Sequence, residues 1–212
     1  MLSTKDLTPI ELEMLYRQRT IGKFVGDAAM YDQVRKDAAL VTHWDQMIRP
    51  KSVLDIGGGA GLLLYFMKHR YQKLYLLEKN CYEKEKRKTG SGDLNSFGGY
   101  NTFSMADKLL RPYLKENQTL TYIDADNYYT CRDKFDVICS WYSCGWHYPP
   151  ETYLEWAISR LNVGGVIMMN LKQCFLGRME KMESEYPVKY RQITQQYKDK
   201  SDVPVGILKK YK

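Results

Sequence analysis

Three absences narrow the kind of protein that this sequence can encode. The 212 residues contain no run of about 18 apolar residues, so they predict no membrane-spanning helix and no membrane partner. Residues 1–6 lack the basic-then-apolar pattern of a secretory signal. The five cysteines are an odd number and never occur as C-x-x-C, which argues against a zinc site. Together these absences predict a cytoplasmic protein with free thiols.

The net charge of +7 is a weak hint of an anionic partner. Lysines and arginines are spread over several segments and interleaved with acids, as in the E-K-E-K-R-K run at 83–88. A run of this kind is usually a solvated face or loop. The composition therefore gives little support to nucleic-acid binding, although it does not exclude it.

A glycine-rich stretch at 52–64 carries the clearest functional signal. A short apolar strand leads into four glycines, and an apolar run of helical length follows: the glycines are Gly57, Gly58, Gly59 and Gly61. Glycine tolerates positive φ and lets the backbone approach a ligand closely. The first turn of the following helix offers unpaired N–H groups to that ligand. The stretch therefore predicts a strand, a tight turn and a helix that bind a nucleotide-like molecule.

The spacing of the glycines decides which nucleotide fits. The dinucleotide pattern G-x-G-x-x-G requires a third glycine at position 62, where this chain has Leu62. A phosphate-binding G-x-x-x-x-G-K-[ST] loop is also absent. The stretch instead reads D-x-G-x-G-x-G, from Asp55 through Gly57, Gly59 and Gly61, and this resembles motif I of the class I S-adenosylmethionine (SAM) methyltransferases. The resemblance implies that SAM is the cofactor and that Asp55 and the glycines form its binding turn.

Glu78 is the second predicted cofactor residue. It ends an apolar strand at 73–78 and lies 23 residues after Asp55. In a parallel α/β crossover, this distance places a carboxylate at the tip of the neighbouring strand, within reach of the ribose of a bound nucleoside. Charge-assisted hydrogen bonds to ribose hydroxyls contribute roughly 1.5–3 kcal/mol each.

Acidic residues after the third predicted strand, at 119–124, are candidates for the adenine end of the cofactor. The class I resemblance implies that one side chain there meets the adenine amino group, and Asp124 and Asp126 both fit, so the choice between them stays open. Either acid could instead cap a turn. Ser140 ends the fourth predicted strand. In the class I layout this strand end faces the transferred methyl group, so the resemblance implies that Ser140 also binds the cofactor.

Aromatic residues crowd the segment after this fourth strand. Four aromatic residues lie around His147 in the sequence and could form a stacking wall for a sugar or another small ring, although two of them could instead be core residues: Trp141, Tyr142, Trp146 and Tyr148. In methyl transfer to a hydroxyl, the hydroxyl has to lose its proton. A histidine, with an ordinary pKa of about 6.5, can accept that proton at neutral pH. We therefore predict that His147 is a general base; a loop-fixing hydrogen bond and substrate positioning are its alternatives. No cluster of acids suggests a metal, so a metal-independent reaction is predicted.

The order of the motifs predicts the fold. A helix over 150–161, a glycine turn at 162–165 that caps it and a buried strand at 166–171 complete a class I series that runs from residue 52 to 172. We predict one compact α/β unit, Rossmann-like and doubly wound, with a mostly parallel seven-stranded sheet. Residues 1–50 are predicted to be a helical addition and residues 51–212 the SAM-binding domain. Because residues 177–196 look helical and only 203–212 looks like a late strand, the sheet could be trimmed at its end.

Two short segments narrow the resemblance further. Residues 100–102 and the run from 140 through 154, which contains G-W-H-Y-P, resemble bacterial sugar O-methyltransferases. This resemblance implies a small hydroxylated acceptor, a sugar or glycan precursor. Two alternatives remain: a ribose or cap methyltransferase acting on RNA, for which Lys172 is the one suggestive residue, and a SAM-binding subunit without catalysis.

Overall fold

The computed structural model describes residues 28–45, 51–79, 103–146, 149–196 and 202–212. The α-helices of these ranges are α1 (Ala28–Asp45), α2 (Leu62–Met67), α3 (Phe103–Leu110), α4 (Glu151–Arg160) and α5 (Met182–Glu185). The strands are β1 (Ser52–Ile56), β2 (Lys73–Glu78), β3 (Thr119–Asp124), β4 (Phe135–Ser140), β5 (Leu161–Asn170), β6 (Val188–Gln196) and β7 (Asp202–Lys210). Short 3₁₀ turns follow α3, β3 and β5. His147, Tyr148 and the loop predicted at 80–98 lie outside the described residues.

The seven strands form one sheet in the order β3-β2-β1-β4-β5-β7-β6. Strands β1 to β5 pair in parallel, whereas β7 runs antiparallel to both β5 and β6. From β1, the strands β2 and β3 follow on one side, and β4 and β5 follow on the other side, so the strand order reverses between β1 and β4. This reversal places a crevice at the carboxyl ends of β1 and β4, where open α/β sheets bind their ligands. The predicted Rossmann-like fold is confirmed.

Helices cover both faces of the sheet. Every residue of β1 is buried, as expected of a parallel strand with helices on both sides. One apolar cluster joins α1, α2 and α3 to one face, and a second joins α4 and α5 to the other. Because strand side chains alternate between faces, Cys139 belongs to the first cluster and Ile138 to the second. The two cores leave the strand ends as the region where loops converge.

The C-terminal part of the sheet corrects one prediction. Residues 177–196 were expected to be helical, but they contain only the four-residue helix α5 and then the strand β6. β6 is an edge strand that pairs with β7 along its whole length, and most of its side chains are exposed. An edge strand of this kind carries charged and polar residues like a solvated helix does, so composition alone misassigns it. The sheet is therefore complete, not trimmed.

The glycine pair at 164 and 165 was also misassigned. The expected turn at 162–165 is wrong, because α4 ends at Arg160 and β5 begins at the next residue. The register between β4 and β5 shifts between Phe135 and Val137, which is an irregularity of the bulge type. Gly164 has φ 82°, and a Cβ on Gly165 would lie 2.8 Å from the carbonyl oxygen of Asp136. The glycines therefore permit a bulge and a close backbone contact inside the sheet.

Helix α1 is held to the rest of the described chain by two buried carboxyl groups. Asp45, at the end of α1, is fully buried; it accepts hydrogen bonds from Arg70 Nη2 at 2.7 Å and from the hydroxyl of Tyr71. Asp37, in the middle of α1, accepts from Gln195 Nε2 of β6 at 2.8 Å. The division between residues 1–50 and the rest stays a prediction, but within the described residues α1 is packed against α2 and β5.

We predict that Asp45→Ala lowers the free energy of unfolding by about 2–4 kcal/mol, because it leaves the Tyr71 hydroxyl and the Arg70 guanidinium without their buried acceptor. Urea unfolding measures the change. Lys189→Ala is the control, since it removes only an exposed ion pair with Glu183 and should cost less than about 1 kcal/mol. Equal losses in the two variants would contradict an anchoring role for Asp45.

Candidate functional site

The glycine turn lies between the end of β1 and the start of α2. Gly57, Gly59 and Gly61 have φ values of 70°, 60° and 83°, which side chains other than glycine rarely adopt. The turn is closed by a hydrogen bond from the Gly61 N–H to the Gly58 carbonyl at 2.9 Å. The glycines are thus required by the backbone path itself, and the predicted strand, turn and helix are confirmed.

Asp55 lies directly beneath this turn. A Cβ on Gly58 would overlap Oδ2 of Asp55 and would lie 2.7 Å from Cδ1 of Leu76. The carboxyl group of Asp55 is buried, and its Oδ2 has no hydrogen-bond partner within the described part of the chain. Burial, with a smaller contribution from the charge of Glu78, raises the pKa of Asp55 to about 8. At neutral pH this carboxyl group is therefore mostly protonated.

Glu78 reaches the glycine turn from the end of β2. Its Oε2 accepts a hydrogen bond from the Gly59 N–H at 2.8 Å, and its Oε1 accepts from the Lys79 N–H at 3.0 Å. Burial raises the pKa of Glu78, and the two N–H donors act against that shift. A carboxylate has about four acceptor positions, so these two bonds leave room for further donors. The structure thus brings the predicted ribose residue to the predicted cofactor turn.

The two candidate acids after β3 have different surroundings. Asp124 is level with Glu78 on the neighbouring strand, and it is partly buried. Its Oδ1 accepts from the Asp126 N–H at 3.0 Å, which closes a small turn. The side chain of Asp126 is 66% exposed, and its contact with Lys79 is a long ion pair of 3.9 Å. Of the two, Asp124 lies closer to the row of strand ends that contains Glu78.

Ser140 is committed to contacts within the protein. It is fully buried; its hydroxyl donates to the carbonyl oxygen of Ile56 at 2.9 Å and accepts from the Cys144 N–H at 3.0 Å. These bonds tie the segment after β4 to the end of β1. A hydroxyl has one hydrogen, so the predicted contact of this side chain with a cofactor would have to use its remaining lone pair. That contact stays a prediction.

The aromatic segment is only partly assembled as predicted. The rings of Tyr142 and Trp146 meet edge to face at 5.4 Å, and both are half-buried. Trp141, by contrast, is buried in the cluster shared with α1, α2 and α3. Predicted roles for His147 and Tyr148 fall on residues that the structure does not describe.

Asn170 was missed by the reasoning from sequence. It ends β5, is fully buried, and its Oδ1 accepts a hydrogen bond from the Tyr142 N–H at 2.9 Å. Tyr142 has φ 54°, which is the one positive φ of a non-glycine residue in the described part of the chain. Asn170 therefore supports a strained backbone next to the aromatic pair. A polar residue at the end of an apolar strand was the signal that could have found it.

The thiols near the site are not activated. Cys139 and Cys144 are buried and free. Burial raises the pKa of the Cys144 thiol to about 12 and that of Cys139 well above its ordinary value, so both remain protonated at neutral pH. Among the described residues, no group of three or more His, Cys, Asp or Glu side chains is placed to hold a metal ion. No described helix is long and apolar enough to cross a membrane.

Comparison with known proteins agrees with this geometry. The model of the Methyltransferase domain family matches residues 30–197, which is most of the chain. No curated protein matches this chain.

Three solved structures illustrate the shared fold. A protein assigned as an O-methyltransferase from Klebsiella pneumoniae has a TM-score of 0.62 at 16% identity, over 97% of this chain and 91% of that one. Magnesium protoporphyrin IX methyltransferase from Synechocystis PCC 6803, with bound SAM, gives 0.61 at 13%, over 94% and 89%. N-methyltransferase NodS from Bradyrhizobium japonicum WM9, with S-adenosyl-L-homocysteine (SAH), gives 0.60 at 10%, over 97% and 100%.

We predict that Gly58→Ala weakens SAH binding roughly tenfold or more, which corresponds to about 1.4 kcal/mol. The new Cβ has to displace either the turn or the Asp55 carboxyl group beneath it. Isothermal titration calorimetry measures the affinity. Gly177→Ala is a matched control: it strains a positive φ, but a Cβ there meets nothing within 4 Å, so SAH affinity should not change. Wild-type affinity in Gly58→Ala would show that the turn is not the binding site.

Asp55 should make the stability of the protein depend on pH. Its folded pKa of about 8 lies above the ordinary value for a carboxyl group, so the folded state binds this proton more tightly than the unfolded state. The resulting stabilisation is fully present below about pH 4 and is lost as the pH rises towards about 8. Asp55→Asn, which has no proton to lose, should flatten the pH dependence of urea unfolding. Asp126→Asn, at an exposed position, should leave it unchanged.

Proposed function

We propose, from the premise that this chain belongs to the Methyltransferase domain family and is a SAM-dependent methyltransferase, that it methylates a hydroxyl group of a small molecule. The acceptor we propose is a sugar or glycan precursor. The edge-to-face pair of Tyr142 and Trp146 after β4 carries this proposal. Aromatic faces bind the apolar side of a sugar ring, and this pair follows β4, which pairs with the strand that leads into the glycine turn.

The residues at the glycine turn fit the cofactor. Gly57, Gly59 and Gly61 allow the close backbone approach that the methionine portion of SAM needs. Glu78 keeps free acceptor positions for the ribose hydroxyls while the Gly59 N–H holds it at the turn. We propose that Asp124 accepts a hydrogen bond from the adenine amino group, because it lies level with Glu78, whereas Asp126 is exposed and pairs with Lys79. When bound, the cofactor supplies an electrophilic methyl group.

The acceptor hydroxyl has to lose its proton as it attacks that methyl group. We propose that His147, which directly follows Trp146 in the chain, accepts this proton. A neutral imidazole with an ordinary pKa near about 6.5 accepts a proton readily at neutral pH. The buried thiols Cys139 and Cys144 are poor bases at that pH, because they are protonated and enclosed. These thiols are therefore not alternatives to the histidine as the general base.

We predict that His147→Ala lowers the turnover number by about 10²–10⁴-fold while SAH affinity stays unchanged. SAH release during incubation with the acceptor measures turnover, and calorimetry measures SAH affinity. His43→Ala is the control, since His43 is an exposed residue of α1 and should have wild-type turnover. Full turnover in His147→Ala would rule out the base assignment.

An acceptor screen scored by SAH release tests the function itself. The panel contains free sugars, nucleotide sugars and a short capped RNA, each at low and high salt. Release with a sugar supports the proposal. Release with RNA that falls steeply with salt would replace it by an RNA ribose or cap methyltransferase. SAH binding without release from any acceptor would instead indicate a non-catalytic SAM-binding subunit.

A further inference from the structure

Two buried side chains with N–H groups lie at neighbouring strand ends. Ser140 of β4 pairs with Met169 of β5. Trp141 and Asn170 are the residues that follow them in the sequence. Side chains alternate along a strand, and Trp141 belongs to the same cluster as Met168, two residues before Asn170. The side chains of Trp141 and Asn170 are therefore directed to the same face of the sheet. Asn170 is fully buried, and Trp141 is 8% exposed.

The orientation of the Asn170 amide is determined by its hydrogen bond. The Tyr142 N–H requires an acceptor, and Oδ1 of Asn170 lies 2.9 Å from it. The other end of the amide is therefore the NH₂ group. Neither Nδ2 of Asn170 nor Nε1 of Trp141 has a hydrogen-bond partner within the described part of the chain. The structure thus presents two buried donors on residues that directly follow paired positions of neighbouring strands.

Such an arrangement has an energetic cost. A buried polar group without a partner costs about 1–3 kcal/mol, and most such groups in proteins are satisfied. The backbone around the donors is also constrained: Tyr142 has a positive φ, and a Cβ on Gly145 would lie 2.9 Å from the Asn170 carbonyl oxygen. Strain and unsatisfied donors occur together mainly at functional sites. The position, at the carboxyl ends of β4 and β5, is beside the proposed acceptor site.

We propose that Nδ2 of Asn170 and Nε1 of Trp141 bind an oxygen atom of the methyl acceptor. This inference rests on the proposed function and defines the part of the acceptor that is recognised. Both donors are uncharged, so they suit a neutral hydroxyl or ring oxygen of a sugar better than a phosphate or carboxylate. Asn170 then holds both the aromatic segment and the acceptor.

Nitrogen-15 NMR of the indole N–H groups tests the donor pair. The Trp141 signal is identified by its loss in Trp141→Phe. Methyl α-D-glucopyranoside and UDP-glucose, each added to the SAH complex, are the probes. We expect at least one to move the Trp141 signal downfield. Trp156 is the matched control, because its Nε1 is also buried without a partner in the described chain but lies on the opposite face. Its signal should not move.

The variant Asn170→Asp completes the experiment. It keeps an oxygen for the Tyr142 N–H but replaces the NH₂ donor by an acceptor. We expect it to raise the Kd of the active probe about tenfold or more, with SAH affinity unchanged. An unchanged probe Kd, no movement of the Trp141 signal with either probe, or full movement with SAH alone would each overturn the inference. Turnover of a probe without movement of the Trp141 signal would overturn the inference and leave the proposed function intact. Movement of the signal without turnover of either probe would support the donor pair and count against the proposed function.

Discussion

The hydrogen bond from the Gly59 N–H to Oε2 of Glu78 is the contact on which the rest of the site depends. It joins the turn after β1 to the end of β2, so the two parts of the cofactor region keep one relative position. Parallel pairing makes the contact possible, because both strands end at the same edge, with Ile56 level with Leu77. A register shift of one residue would turn Glu78 to the other face of the sheet and break the contact.

Two buried carboxyl groups lie at this contact, and they differ in their hydrogen bonding. Asp55, without a hydrogen-bond partner for Oδ2 among the described residues, has its pKa raised to about 8 and is mostly protonated at neutral pH. Glu78 receives two backbone N–H donors, which favour its charged form against the effect of burial. Asp55 thus lies beneath the turn as a mostly neutral acid, whereas Glu78, which accepts two backbone hydrogen bonds, keeps acceptor positions for a ligand.

The strand order separates the residues proposed to bind the cofactor from those proposed to bind the acceptor. β1, β2 and β3 carry the glycine turn, Glu78 and Asp124, whereas β4 and β5 carry the aromatic pair and Asn170. The ends of β4 and β5 contain the positive φ of Tyr142 and the two donors that have no partner among the described residues. Features that reduce stability are expected where a ligand is bound. The solved methyltransferases that share this fold are only 10–16% identical to the chain, so the fold alone does not identify the acceptor.

The sequence by itself determined the strand, turn and helix at 52–67 and the position of Glu78, because each follows from local spacing, and it indicated the cofactor class through the resemblance of that stretch to motif I. It did not reveal β6, whose polar composition resembles a helix until β7 pairs with it. Nor did it reveal the role of Gly165, which depends on the approach of the Asp136 carbonyl from another strand. Asn170 was missed for the same reason: its partner, Tyr142, is 28 residues away in the chain. Only the tertiary structure decides such contacts, because hydrogen bonds between distant segments depend on sheet order and register, which local patterns do not encode.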